Sequence, residues 1–502
     1  MPALDLGQAL AKAFAALDAG RTDEARRLAR LVEKQRPDLP GLSYLLGLVA
    51  LADGQGRKAA QHLAKALART PEAVPPLLAM ARAQAAQERF AAAESLYGRL
   101  LILAPDLAVV HAELGEILLR QDRPTDALAP LRRAAGLHPA DARTLNALGV
   151  AWKALGHWDQ AALAFAGAID VDAASVKAHA NLAAVLRRLK RTAEAVEMAR
   201  RATELDGADA LAWLERGQAE RDHGDGMAAL DSFAKARALA PDIVESLWLQ
   251  AECLAALGRA EEARLLYRTL LAEDPADRFG AGLALARLSG LAPVDGAPAA
   301  FVAGLFDQYA DSFDKDLRDN LGYRAPEILA EAVARALGNG PFACLDAGCG
   351  TGLAGVALRP LLSRLDGVDL SPRMIEKARQ RGLYDRLDAA DLVAILTSRP
   401  AAYDLVAAAD VLIYLGDLTA LFQAAWQALK GGGGFAFTTE CHDGDGFLLQ
   451  DSRRISHGDA YLRRLAVETG FQVLAFERVS VRRDRDQPVP GCVAVLRKAS
   501  SE

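Results

Sequence analysis

A period of 34 residues governs the first half of this chain and leaves few folds open to it. Prolines stand at positions 37, 71, 105 and 139; two further steps of 34 fall on Ala173 and Gly207, and Pro241 and Pro275 then resume the register. Twelve residues before each of these eight points stands an alanine: Ala25, Ala59, Ala93, Ala127, Ala161, Ala195, Ala229 and Ala263. Twelve residues earlier again come Gly47, Gly115, Gly149 and Gly217, with alanine in the other four units. Four residues after the alanine marker a bulky side chain recurs, as Leu63, Tyr97, Leu131, Phe165, Phe233 and Tyr267. A proline is expected where a helix must stop, and a small residue where two helices cross closely. The pattern predicts helix pairs that bury their apolar faces only by stacking on one another.

Small on one helix, bulky on the other, 34 residues per unit: this resembles the tetratricopeptide repeat. The resemblance covers about residues 6–277 in eight units. "RFGAGLALARL" adds a capping helix, so the array is expected over 1–288. The unit at 176–209 departs most, with Ala199 at the bulky position and Gly207 for proline, and is expected to pack loosely. The resemblance implies an all-α superhelix with a concave groove for a protein or peptide. A plain scaffold or a self-association surface remains the alternative. Lys177, Arg187, Arg188 and Arg191 either line part of that groove or form a solvated face.

The segment "SGLAPVDGAPAA" at 289–300 is rich in proline, glycine and alanine and marks a linker. From Phe301 to the last residue the 34-residue markers vanish. Strand-like runs ("FACLDAG", "RLDGVDL", "YDLVAAADVLIYL", "GGFAFTTE") alternate with helical patterns, which predicts a parallel sheet with helices on both faces. At the end of the chain "FQVLAFERVSV" and "PGCVAVLRK" predict an antiparallel hairpin at the sheet edge.

The stretch "CLDAGCGTGLAG" crosses from the first of these strands into a helix through Gly348, Gly350 and Gly352. Glycines there let the backbone approach a ligand closely, and a helix N-terminus offers free N–H donors. Asp369 ends the second strand pattern and precedes "SPRMIEKAR", with Ser371 as N-cap and Pro372 in the first turn. Asp391 follows the third strand. Taken singly, the turn fits any nucleotide-binding loop, Asp369 a helix cap and Asp391 a surface turn; their joint order carries the weight. The spacing GxGxG led by Asp346 resembles motif I of the class I S-adenosylmethionine-dependent methyltransferases, and the likeness extends over 344–440. It implies an α/β, Rossmann-like domain over 301–502 with a mostly parallel seven-stranded sheet. It also implies S-adenosylmethionine as cofactor. Its contacts would be the turn (Asp346, Gly348, Cys349, Gly350, Gly352), Asp369 on the ribose hydroxyls with Leu370 and Met374, and Ala390 and Asp391 at the adenine. Asp410 would be a further contact, and Tyr309 would pack on the methionine end or shape the acceptor pocket, with a place in the core as its alternative.

Methyl transfer from a sulfonium needs mainly positioning, and a general base only where the acceptor starts protonated. Asp410 and Tyr414, at the end of the fourth strand, are candidates to meet the reacting group. His457, in "RISHGDAYLRRLAVETGF", is the candidate base; a structural role is its alternative. Glu440, His442, Arg454 and Tyr461 lie in the same region. Cys349 fills space rather than attacking. The stretch "AADVLIY" lacks the [DN]PP[YF] turn used on amide-like and exocyclic nitrogens, which argues against DNA adenine or glutamine methylation. A formal net charge of -6 gives no reason to expect nucleic acid, and no run of apolar residues is long enough to span a bilayer. Five scattered cysteines suggest neither a metal site nor a disulfide framework and fit a reducing cytoplasm. The leading expectation is a methyltransferase whose repeats recruit or orient a protein. The alternatives are a scaffold with a catalytically idle cofactor domain and a small-molecule methyltransferase that uses its repeats for assembly.

Overall fold

The structure is a computed structural model that describes residues 5–290, 296–311, 313–315, 317, 322–484 and 487–500. The chain divides into two compact units, Met1–Ala240 and Pro241–Glu502. Part of the expected linker, 291–295, and part of the segment before the glycine turn lie outside the described residues.

The first unit is helical throughout, from Leu6–Asp18 to Gly226–Leu239, in consecutive antiparallel pairs. The period is physical. Second helices end at Gln35, Arg69, Leu103 and Leu137, each two residues before its proline. The helices ending at Val171 and Leu205 stop in the same register without one, so proline reinforces the boundary but does not create it. The marker alanines of this unit are fully buried. A methyl group added at Gly47 would lie 2.6 Å from Leu63 Cγ, and one at Gly149 or Gly217 would lie 2.5 Å from the ring of Phe165 or Phe233. Glycine on the first helix therefore makes the socket that the bulky residue of the second helix fills. In the unit at 176–209 Ala183 faces this role with Ala199 as its counterpart. Ala199 is nonetheless fully buried, in one cluster with Phe165, Leu182, Val185 and Leu186. The basic side chains of that region are largely spent inside the unit. Arg187 pairs with Glu215 and Asp222, Arg191 with Glu194, and Arg188 lies over the Trp158 ring.

The second unit opens with the last helix pair, Val244–Ala256 and Ala260–Glu273, and the capping helix Ala281–Ser289. Helices Ala299–Tyr309 and Ala325–Leu337 lead into a sheet. Its strands are β1 (Phe342–Ala347), β2 (Leu362–Asp369), β3 (Arg386–Ala389), β4 (Tyr403–Ala408), β5 (Leu429–His442), β6 (Phe447–Leu449), β7 (Ile455–Gly458), β8 (Phe471–Val479) and β11 (Gly491–Lys498). Between the last two, β9 (Arg483–Asp484) and β10 (Gln487–Pro488) form a separate two-stranded ladder. The main order is β3-β2-β1-β4-β5-β11-β8. The first five strands run parallel. β11 lies antiparallel to both neighbours, so the final hairpin inserts its last strand between β5 and the edge strand β8. Apolar clusters cover both faces, one around Phe422, Phe435 and Phe437, the other around Leu329, Leu365 and Leu405. The strand order reverses between β1 and β4, and in such sheets the crevice beyond the strand ends at that point is where ligands bind. No helix among the described residues is long and apolar enough to cross a membrane.

Candidate functional site

A cavity of about 700 Å³ opens at this switch point, within the size range of sites for small organic ligands. Its floor is the glycine turn after β1. Gly348 and Gly350 have φ of +73° and +53°, and the amides of Gly348 and Cys349 both donate to the Val368 carbonyl, at 2.8 and 2.9 Å. A Cβ at Gly348 would stand 2.4 Å from Val411 Cγ2. Gly348 is thus bare because a side chain fits neither its backbone nor its surroundings; at Gly350 the backbone alone disfavours one. Asp369, at the end of β2, holds it in place: one carboxylate oxygen accepts from Gly350 N and the other from Ser371 N, each at 2.9 Å. Burial pushes the Asp369 carboxyl up, against the pull of these amides. Ser371 caps the next helix by accepting from Met374 N. Asp391 caps the helix after β3 by accepting from Ala394 N, and Ala390 N donates to the Asp369 carbonyl. Asp369, Leu370, Ala390 and Asp391 all line the cavity.

The far end is more charged. Asp410 adopts φ +62° just past β4, and its amide donates to Thr438 Oγ1 at 2.9 Å. Its carboxylate pairs with Arg482, which also pairs with Glu440; Arg482 is 2% exposed. Tyr414 packs edge-on to Phe306 with ring centroids 5.4 Å apart. Burial raises the Tyr414 hydroxyl, and neighbouring Arg454 pulls it back.

The residues 345–435 match the family model of a methyltransferase domain. Residues 10–74, 146–210 and 214–278, and 50–117 by a second model, match tetratricopeptide repeats. This chain joins tetratricopeptide repeats to a methyltransferase domain. The chain is 42% identical over 85 residues to human (Homo sapiens) methyltransferase-like protein 27, covering 16% of this chain and 34% of that protein. It is 32% identical over 93 residues to the ubiquinone biosynthesis O-methyltransferase of Xylella fastidiosa, covering 18% of this chain and 38% of that one. It therefore spans well under half the length of these curated relatives. A tetratricopeptide repeat protein of Parabacteroides merdae superposes with a TM-score of 0.40 at 16% identity, over 50% of this chain and 98% of that chain.

The methyltransferase domain brings nine of the sequence-predicted residues to the cavity: Gly348, Cys349, Gly350, Asp369, Leu370, Ala390, Asp391, Asp410 and Tyr414. Five others stand elsewhere. Asp346 is fully buried beneath the turn, where it accepts from Tyr384 Oη at 2.7 Å. Gly352, φ +95°, starts the helix Leu353–Leu358. Met374 packs inward from its helix and is fully buried. Tyr309 is half exposed and not among the lining residues; Phe306, Phe313 and Tyr323 of the same segment are. His457 stands outside the cavity lining. Its ring is fully buried, with Nε2 at 3.0 Å from the Leu415 carbonyl and 3.2 Å from that of Gly416, and Nδ1 at 3.1 Å from Thr439 Oγ1. Carbonyls only accept, so Nε2 carries the proton and Nδ1 accepts from the threonine. Burial lowers the imidazole to about 4. Both nitrogens are occupied, and the ring ties the Tyr414 loop to β7.

Two contributions to the methyltransferase cavity escape sequence reasoning. Arg482 sits in the polar connector "RRDRDQPV" beside no motif, yet reaches back to Asp410 and Glu440. Gly282, Leu283 and Ala286 of the capping helix line one wall. Only the helical period of 281–289 was readable there, not which face meets the cavity.

Proposed function

We propose that the α/β domain is a class I methyltransferase that uses S-adenosylmethionine, and that the repeats bind a protein or peptide which either carries the methyl acceptor or positions the enzyme. The observation that carries this reading is the turn with Gly348 and Gly350 in the left-handed region, clamped by Asp369. A cradle that admits no Cβ at Gly348, next to a buried carboxylate, suits a ligand that presents hydroxyls and an amino group to it. When bound, S-adenosylmethionine would supply a methyl group activated by its bond to a sulfonium sulfur, which departs as the thioether when the acceptor takes the methyl. This chain's residues bind and orient. The Gly348, Cys349 and Gly350 backbone gives close approach, and Asp369 has lone pairs left for ribose hydroxyls. Leu370 and Ala390 pack beside the base, and Asp391 accepts from an exocyclic amine.

Asp346, Gly352 and Met374 act beneath the turn by holding its shape. Tyr309 belongs to the helix that closes over the site. At the acceptor end Asp410 is held by Arg482 and fixes the edge of the cavity with Tyr414. No base is invoked: His457 is spent on carbonyls, and an acceptor nucleophilic at neutral pH needs none. The buried free cysteines fit a reducing compartment, and we place the protein in the cytoplasm. The test is calorimetric titration of the full chain with S-adenosylmethionine and S-adenosylhomocysteine. Micromolar binding of either supports the reading. A folded chain that binds neither overturns it and favours an interaction scaffold.

A further inference from the structure

Five charged side chains line the cavity: Asp369, Asp391, Asp410, Arg454 and Arg482. Four have work. Asp369 takes two backbone amides and Asp391 caps a helix. Asp410 and Arg482 hold each other, with Arg482 also gripping Glu440. Arg454 differs. Among the described residues it meets one carboxylate oxygen within 4 Å, Glu440 Oε1 at 3.9 Å, and that same oxygen is already held by Arg482. A guanidinium offers five N–H donors in a planar fork; among the described residues this one is met besides only by the Tyr414 hydroxyl, so donors remain free at the charged end of the cavity.

The turn that carries Arg454 is anchored from behind. Gln450 N donates to the Arg454 carbonyl at 2.8 Å, and Arg453 N to the Gln450 carbonyl at 2.9 Å. Arg453 has φ +62°. Its guanidinium lies 5.0 Å from the Trp248 ring centroid and pairs with Glu252, both on the last repeat helix pair. Adjacent arginines thus point apart: one locks the turn onto the last repeat, and the other is left facing the cavity.

We propose that Arg454 is the carboxylate receptor of this cavity, gripping a planar anion by a two-pronged hydrogen bond. The proposal rests on the cofactor reading above. The carboxylate has two possible sources, the amino-acid end of the cofactor or the methyl acceptor, and the test separates them. The full-length chain and its Arg454→Ala and Arg454→Gln variants are titrated with S-adenosylhomocysteine and with 5′-methylthioadenosine, which lacks the amino-acid end. The chain saturated with S-adenosylhomocysteine is then titrated with benzoate and with neutral benzamide. If the cofactor supplies the anion, both variants lose about tenfold or more for S-adenosylhomocysteine and keep their affinity for methylthioadenosine, which also certifies that they fold. If the acceptor supplies it, cofactor affinity is unchanged, and benzoate, not benzamide, binds the parent chain and is lost in both variants. Unchanged S-adenosylhomocysteine affinity, together with benzoate binding that is absent or insensitive to the substitutions, overturns the proposal. A parent chain that binds no nucleoside at all instead overturns the cofactor reading itself.

Discussion

The two units are of similar length and solve burial differently. In Met1–Ala240 five polar or charged residues are buried among the described positions; in Pro241–Glu502 thirteen are. The helical unit meets its few buried polar groups locally, as where Glu220 takes Arg216 four residues away and Ser232 twelve away. The α/β unit binds them across long spans: Asp346 to Tyr384, Asp366 to Tyr403, Asp410 and Glu440 to Arg482. Buried polar groups are costly unless satisfied. The unit that accepts that cost is the one with a polar cavity to shape. The repeats are a problem of fitting small against large; the second unit is a problem of aiming charges.

The sharpest way to break this comparison is to move its boundary. The unit that holds the cavity begins at Pro241, and Leu283 and Ala286 form part of the wall, while Trp248 and Glu252 anchor Arg453. A chain lacking 1–240 is expected to unfold cooperatively and to bind S-adenosylhomocysteine as the full chain does. A chain lacking 1–290 is expected to aggregate or to bind nothing. Equal behaviour of the two truncations, by calorimetry and thermal unfolding, would make the last repeat a mere neighbour of the domain.

Next in size is Asp369→Ala. It removes the acceptor for Gly350 N and Ser371 N as well as the proposed ribose ligand. Nucleoside affinity is expected to fall by on the order of a hundredfold or more, since hydrogen bonds to a buried charge contribute about 1.5–3 kcal/mol each. Far-ultraviolet circular dichroism should be unchanged. Retained affinity would remove Asp369 from the site.

What the sequence disclosed follows the same divide. The 34-residue markers are local, so helix pairs, their ends and the buried alanines were all legible, down to the Gly149 socket for Phe165. The glycine turn was legible because backbone conformation dictates its residues. The acceptor end was not. Arg482 reaches Asp410 over 72 residues, and neither position has a periodic or turn-specific signature. His457 looked available because a histidine at a strand end near a cleft carries no mark of the carbonyls of Leu415 and Gly416. Partners that only the tertiary fold brings together leave no trace in spacing.

Two buried groups give the α/β unit opposing pH responses. Burial pushes the Asp346 carboxyl up to about 7, from an ordinary 3.8. The folded state therefore holds a proton that the unfolded chain has released, and stability from this group falls as pH rises from about 4 to 7. His457, lowered to about 4, works the other way: the unfolded chain takes a proton below pH 6.5, so its contribution is lost as pH falls. Asp346→Asn keeps an acceptor for Tyr384 and removes the first response. Its stability relative to the parent is expected to improve steadily from pH 4.5 to 7.5, by up to about 4 kcal/mol. Denaturant unfolding of parent and variant at three pH values checks this. A gap that does not change with pH would mean that Asp346 is ionised in the fold.

The smallest effects test whether the repeat unit is governed by sockets. Gly149→Ala places a methyl group 2.5 Å from the Phe165 ring, which is fully buried and has nowhere to retreat. Overpacking of this kind costs about 1–3 kcal/mol. Gly98 lies in the middle of the helix Phe90–Leu103, is exposed, and a methyl group added there would meet nothing within 4 Å. At that position the backbone entropy of glycine is the only term, and Gly98→Ala should stabilise by about 0.5–1 kcal/mol. Same substitution, same kind of helix, opposite sign: thermal unfolding of the two variants decides it. If both stabilise, helix propensity outweighs the socket, and the small-against-large pairing that defines the period is not what holds the helices together.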